Sequence, residues 1–180
     1  RKCPLDCVYC NPQRNFIKET GDLPLSTIEY VAMEMARQKM FVEYAHPFIN
    51  TDPTVDKRMH RIYKILCDNL KCQILTSTNG VLFGGRELLR DSHLTDVCFT
   101  ISAASPETYA KVHGKPLFEQ AVKTLFWLQE NKFWNQRIGL RFILFEGNMH
   151  ELESWRRQFY MFSQEVRPLH YGGARKASNR

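Results

Sequence analysis

Three of the six cysteines of this chain lie within one short stretch, Cys3-Pro4-Leu5-Asp6-Cys7-Val8-Tyr9-Cys10, with the spacing C-x3-C-x2-C. Pro4, Asp6, Asn11 and Pro12 favour a loop over a helix there, and thiolates converging from a loop suit soft metals. A structural zinc site needs a fourth protein ligand, whereas the first histidine is His46 and no cysteine or histidine falls in the thirty residues after Cys10. A four-iron four-sulfur cluster held by three thiolates keeps one iron free to bind a small molecule. Zinc, such a cluster and a grouping of structural thiols are the three readings open at this point. Cys67, Cys72 and Cys98 sit among apolar neighbours, where a free thiol behaves as a small hydrophobe. The clustering argues against a disulfide framework and for a reducing, cytoplasmic setting.

The elements that must position these groups alternate in type. Ser26 with Glu29 forms a capping box, and Ile28, Val31, Ala32, Met35 and Ala36 recur at helical spacing, predicting a helix from about Thr27. Phe41 to Ile49 reads as a strand ending in the polar turn Asn50-Thr51-Asp52-Pro53. Met59, Ile62, Tyr63, Leu66 and Leu70 mark a second helix, and Cys72 to Thr78 a strand closed by Asn79-Gly80. A short helix over Glu87 to Arg90, a strand over Val97 to Ser102 and a helix carrying Phe118, Ala121, Val122, Leu125 and Leu128 follow. A strand over Ile138 to Phe145, a helix bearing Leu152, Trp155, Phe159 and Phe162, and a strand over Val166 to Leu169 complete the pattern. Strands this far apart need crossover connections, which gives a parallel sheet, apolar on both faces, with ligands at the carboxyl ends of the strands. At those ends Asp52 is either a ligand group or a plain turn residue before proline, and Ser102 either points its hydroxyl at a ligand or bonds the turn that follows. Arg141, the one charge inside Ile138 to Phe145, requires an anionic partner, either a ligand or a salt bridge to a neighbouring helix. His46, His93, His113 and His170 show no metal-like spacing and receive no role. The aromatic stripe of Phe118, Phe126, Trp127, Phe159 and Phe162 reads as core packing.

A chain of 180 residues, 43% hydrophobic and 24% charged, is one globular domain, residues 1–180. No apolar run approaches the roughly 20 residues of a membrane span. Disorder, a collagen repeat and membrane insertion are excluded. Lys and Arg outnumber Asp and Glu by 25 to 19, a net charge of +6. The basic residues, among them Lys57, Arg58, Arg61, Arg156, Arg157, Arg175 and Lys176, are scattered, so a nucleic-acid partner is not called for. The chain starts at Arg1 and its apolar pattern fades after Gly172, so it reads as a fragment cut at both ends.

Three cysteines at this spacing with Tyr9 just before the last resemble the signature of the radical S-adenosylmethionine superfamily. Pro47-Phe48-Ile49-Asn50-Thr51-Asp52-Pro53 is similar to that family's Gly-Gly-Glu-Pro strand end, with Asn50 and Thr51 in place of the glycines and Asp52 in place of the glutamate. Thr78-Asn79-Gly80, Ser102 through Gly114 with Glu107 and Tyr109, and Phe145-Glu146-Gly147-Asn148 with Glu151-Leu152 resemble later segments in the family's order. The resemblance covers nearly the whole chain, and the cysteine triad is its specific part. It implies an α/β fold, a partial (β/α)6 TIM-like barrel of parallel strands whose first strand lies upstream of Arg1, with the cluster loop at residues 3–10. It also leaves room for a C-terminal auxiliary-cluster, SPASM-like, extension.

Its implied cofactors are a [4Fe-4S] cluster on Cys3, Cys7 and Cys10 and S-adenosyl-L-methionine contacted by Tyr9, Asp52, Ser102, Arg141, Asn148 and Leu169. The implied reaction is reductive cleavage of that cofactor to methionine and a 5′-deoxyadenosyl radical, which takes hydrogen from an unidentified substrate, a peptide or protein being one class. The implied partner is a small electron donor of flavodoxin or ferredoxin type, with no membrane partner. The alternative is a non-catalytic iron-sulfur or zinc module with a basic, nucleic-acid-contacting surface.

Overall fold

A computed structural model describes residues 3–10, 21–48 and 51–169. Asn11 and Pro12 of the expected loop, Ile49 and Asn50 of the expected strand end, and the tail from His170, including Arg175 and Lys176, lie outside the described residues. Five strands, β1 Tyr44–Ala45, β2 Gln73–Thr78, β3 Leu94–Thr100, β4 Arg137–Leu144 and β5 Ser163–Pro168, form one parallel sheet in sequential order. The helices are α1 Leu25–Arg37, α2 Met59–Leu70, α3 Pro106–His113, α4 Phe118–Asn131 and α5 Leu152–Gln158. Sequential order with crossovers of one hand stacks the connections on one face of the sheet, as in a barrel wall rather than an open doubly wound sheet. No helix among the described residues is long and apolar enough to cross a membrane.

The packing follows from that one-sided cover. Ile74, Val97, Phe99, Ile138, Leu140 and Phe142 point to the helix side and are buried, with Trp155 of α5 edge-on to Phe142 at 5.2 Å. The opposite face carries Ser77, Cys98, Thr100, Gly139, Arg141, Glu165 and Arg167 and is only half buried or exposed. The expectation of strands apolar on both faces is therefore corrected: alternate residues face a polar, open concavity. A register shift between Ile74 and Leu75 lies beside Thr95, whose hydroxyl donates to the Ile74 carbonyl at 3.0 Å.

Several expected boundaries move for identifiable reasons. α1 begins at Leu25 after Pro24, with no side-chain cap, so Ser26 and Glu29 lie inside the helix. The strand expected from Phe41 shrinks to Tyr44–Ala45, and Phe41 is 89% exposed, because an aromatic run without a covering layer does not become a two-sided strand. Glu87 to Arg90 is replaced by a 3-10 segment over Phe83–Leu88. α3, expected only as a turn, is capped by Ser105, which accepts from the Thr108 N–H, with Pro106 in its first turn and Gly114 in the left-handed conformation at its end. α5 stops at Gln158, yet Phe159 and Phe162 remain buried beyond it.

Candidate active site at the carboxyl ends of the strands

The cysteine loop is held against the carboxyl terminus of α3. Asp6 N–H donates to the His113 carbonyl at 3.1 Å and Val8 N–H to that of Val112 at 2.9 Å, while Cys10 N–H donates to the Cys7 carbonyl at 3.0 Å. Gly114 is required at this dock: its φ is +76°, and a Cβ would lie 2.6 Å from the Asp6 carbonyl oxygen. Leu5, 2% exposed, anchors the loop in the core.

Beneath the loop lies His113, a residue without an expected role. Its Nδ1 is 3.3 Å from both the Cys7 Sγ and the Tyr9 hydroxyl, and its Nε2 accepts the Ser102 N–H at 3.1 Å. The ring stacks on Tyr109 at 4.1 Å and meets Tyr9 edge-on at 5.7 Å. Burial without a carboxylate partner pulls His113 down to about 3, so it is neutral. No spacing rule could have found it, because the contact to Cys7 spans 106 positions.

Ser102 and Asn148 join the ends of β3 and β4. The Ser102 hydroxyl accepts from the Ile143 N–H at 3.0 Å, and the Asn148 amide donates to the carbonyls of Ser102 at 2.9 Å and Ile143 at 2.8 Å. Asn148 Oδ1 accepts the Phe145 N–H at 3.0 Å. Glu151 draws the same connection onto the start of α3, accepting the Ala104 N–H at 2.6 Å and binding the Ser105 hydroxyl.

Asp52 occupies the other flank. Its buried carboxylate accepts from Thr54 N–H at 3.0 Å and hydroxyl at 2.5 Å, from the Thr78 hydroxyl at 3.0 Å, and from the Asn79 N–H at 2.8 Å. It thus caps a 3-10 turn and ties that turn to the end of β2. Asn79 in turn places its Nδ2 3.6 Å from the Cys3 Sγ. Asp52 and Asn79 form one support behind Cys3, as His113 and Ser102 do behind Cys7.

Arg141 lies apart, on the open face. Its Nε donates to Glu165 on β5 at 2.8 Å and its Nη1 to Ser77 on β2 at 3.4 Å, and Arg167 also binds Glu165. The expected two-sided apolar setting and the expected helix partner are both corrected, since the pair runs across strands on the polar face. Leu169 is half buried and its N–H donates to the Leu144 carbonyl at 2.9 Å.

Three thiols at a half-buried docked loop, two of them facing N–H groups, fit an iron-sulfur cluster. Burial pushes the Cys7 thiol up to about 12, assisted by Cys3 and Cys10, so a compensating metal charge favours its ionised, ligating form. Among the described residues no three His, Cys, Asp or Glu side chains gather about a point that one ion could fill.

Comparison with known proteins agrees. The chain superposes on the structure of TYW1 with a lysine-pyruvate adduct bound, with a TM-score of 0.70, 16% identity and 97% of this chain against 64% of that one. For Streptococcus suis SuiB bound to S-adenosylmethionine the values are 0.68, 13%, 99% and 39%, and for the FeFe-hydrogenase maturase HydG from Carboxydothermus hydrogenoformans 0.65, 18%, 99% and 44%. The chain spans less than two thirds of each of these structures, and at such identities the likeness is one of fold. No curated protein matches the chain. The radical SAM superfamily model matches residues 1–158, so with its cysteine loop docked at the carboxyl ends of a parallel sheet the chain belongs to the radical SAM superfamily.

Proposed function

We propose that this chain is the catalytic core of an enzyme that cleaves S-adenosylmethionine reductively and uses the product radical to take hydrogen from a substrate. The observation that supports it most directly is the docked loop, whose Cys7 sulfur faces the neutral His113 and whose Cys3 sulfur faces Asn79. When bound, the [4Fe-4S] cluster supplies one electron and an open iron to the sulfonium cofactor. Cys3, Cys7 and Cys10 would hold it. Tyr9, Arg141 and Leu169 are assigned to the cofactor directly. Asp52, Ser102 and Asn148 are assigned to it through the strand ends they fix, because their side-chain hydrogen bonds run within the protein.

The half-buried polar face with Ser77, Cys98 and the Arg141–Glu165 pair is the region where a substrate would lie, and a peptide or protein is the first class to test. An electron donor of flavodoxin or ferredoxin type and a cytoplasmic setting complete the proposal; the cluster's thiolates need a reducing compartment. Anaerobic reconstitution followed by iron and sulfide analysis and assay of 5′-deoxyadenosine tests it. About four irons per chain and dithionite-dependent 5′-deoxyadenosine are expected. Bound zinc, or a cluster that never cleaves the cofactor, would instead support a non-catalytic module.

A further inference from the structure

We infer that His113 is a positioning residue for electron transfer: its Nδ1–H donates to the Cys7 sulfur and raises the reduction potential of the cluster that Cys3, Cys7 and Cys10 hold. The inference rests on the cluster reading above. It starts from the proton inventory of the ring. Nε2 accepts the Ser102 N–H at 3.1 Å and therefore carries a lone pair. A ring whose Nε2 accepts in this way has its proton on Nδ1. This tautomer is assigned from the hydrogen-bond network.

Two acceptors lie 3.3 Å from Nδ1, the Cys7 Sγ and the Tyr9 oxygen. The Tyr9 hydroxyl is itself within hydrogen-bond reach of Cys7 and Ser102, so both donors can converge on one sulfur. A thiolate ligand is the more strongly charged acceptor.

Geometry keeps the donor in place. His113 is the last residue of α3, and its carbonyl and that of Val112 accept from Asp6 and Val8 of the cysteine loop. The ring is gripped between Tyr109 and Tyr9. Ring and sulfur are thus fixed in one frame. Reduction adds negative charge that is shared by the ligating sulfurs, so a fixed N–H donor favours the reduced state over the oxidised one. The electron comes from an external one-electron donor of flavodoxin or ferredoxin type. No bond in the protein is made or broken.

The test is a potentiometric titration, followed by electron paramagnetic resonance, of the reconstituted chain beside His113→Asn and His113→Gln. An Asn amide can put an N–H near the place of Nδ1, whereas the Gln carbonyl can take over the Ser102 N–H and leave Cys7 without the donor. His113→Gln is expected to lower the one-electron equilibrium constant about five- to tenfold, a fall in midpoint of roughly 40–60 mV, and His113→Asn to stay within about threefold of the parent. Equal potentials for the parent and His113→Gln overturn the inference. Where a variant holds no cluster, the parent protein grown on 15N-histidine decides: a 15N hyperfine coupling on the reduced cluster is expected, and its absence is equally decisive against the role. Parent protein that takes up no iron breaks the cluster reading itself, a different failure from unchanged potentials.

Discussion

Strand β3 runs between two buried polar hubs of opposite design. At its amino end Asp91, 6% exposed, is central: it accepts the His93 N–H at 2.8 Å and Nδ1 at 2.7 Å, and also binds Nδ1 of His60. The side chains of His60 and His93 are 46% and 31% exposed. At its carboxyl end a histidine is central, fully buried, and no carboxylate among the described residues pairs with it. The first hub keeps a charge and lets solvent reach its partners. The second excludes charge from the protein side and faces sulfur. A site that must receive a charged cluster gains from a neutral, dry surrounding, in which each aimed N–H acts at low dielectric.

The largest effect expected from breaking that contrast lies in the loop. Replacing Cys3, Cys7 or Cys10 with Ala abolishes the visible absorbance of the reconstituted cluster, while Cys98→Ala, on the open sheet face, retains it. Loss of the cluster in a folded Cys98→Ala protein would show that the ligands are misassigned. Next in size is Asp52→Ala, which strands the donors of Thr54, Thr78 and Asn79 in a buried place. Unmatched buried donors cost about 1–3 kcal/mol each, so roughly 3 kcal/mol in all is expected after relaxation. For a chain of this size that is a fall in Tm of roughly 6–12 °C by calorimetry. A shift under about 2 °C would mean that water replaces the carboxylate.

The amino-end hub gives a smaller effect with a sign. Burial acts to raise the Asp91 carboxyl, but the N–H groups of His60 and His93 outweigh it and hold it below the usual carboxylate range. Tyr63 also faces it, and burial raises that phenol far above acid pH. A depressed carboxylate contributes stability that is present above the unfolded value of about 3.9 and is lost as pH falls through the lower folded value. Denaturant midpoints measured from pH 6 downward should therefore fall below about pH 4, with this group adding at most about 1.4 kcal/mol per pH unit. Asp91→Asn should remove that component and flatten the profile. Parallel profiles for the two proteins would show that the hub is electrostatically silent.

What the sequence disclosed and withheld follows from range. Cys3, Cys7 and Cys10 are readable because their chemistry is local, within one loop. The core strands are readable because a buried face forces alternation or an apolar run, as in Ile138, Leu140 and Phe142. The error of reading both faces as apolar came from Leu75 and Ile143, which are apolar but only half buried along the concavity. α3 was hidden because its cap, Ser105-Pro106, reads as a turn until Glu151, 46 residues on, fixes it. His113 and Asn79 become visible only when folding brings them to sulfurs 106 and 76 positions away.

The smallest effect on stability is expected for Arg141, and it sharpens the comparison most. Its guanidinium is 21% exposed on the open face and shares Glu165 with Arg167, so removing it leaves no carboxylate unpaired. An ion pair of this kind contributes up to about 1 kcal/mol, and Arg141→Met and Glu165→Gln should each lower stability by no more than that. The two variants separate on cofactor binding. If Arg141 serves only to pair with Glu165, both leave S-adenosylmethionine affinity unchanged. If it meets the cofactor's carboxylate or ribose, Arg141→Met weakens binding by roughly ten- to a hundredfold, from the loss of a charge-assisted hydrogen bond, with the cluster spectrum intact. Glu165→Gln then binds as well as the parent or more tightly, since the guanidinium is released from a competing anion. Isothermal titration of the reconstituted proteins measures both affinities, and equal weakening by the two variants would assign the pair to holding β4 and β5 in register rather than to the cofactor.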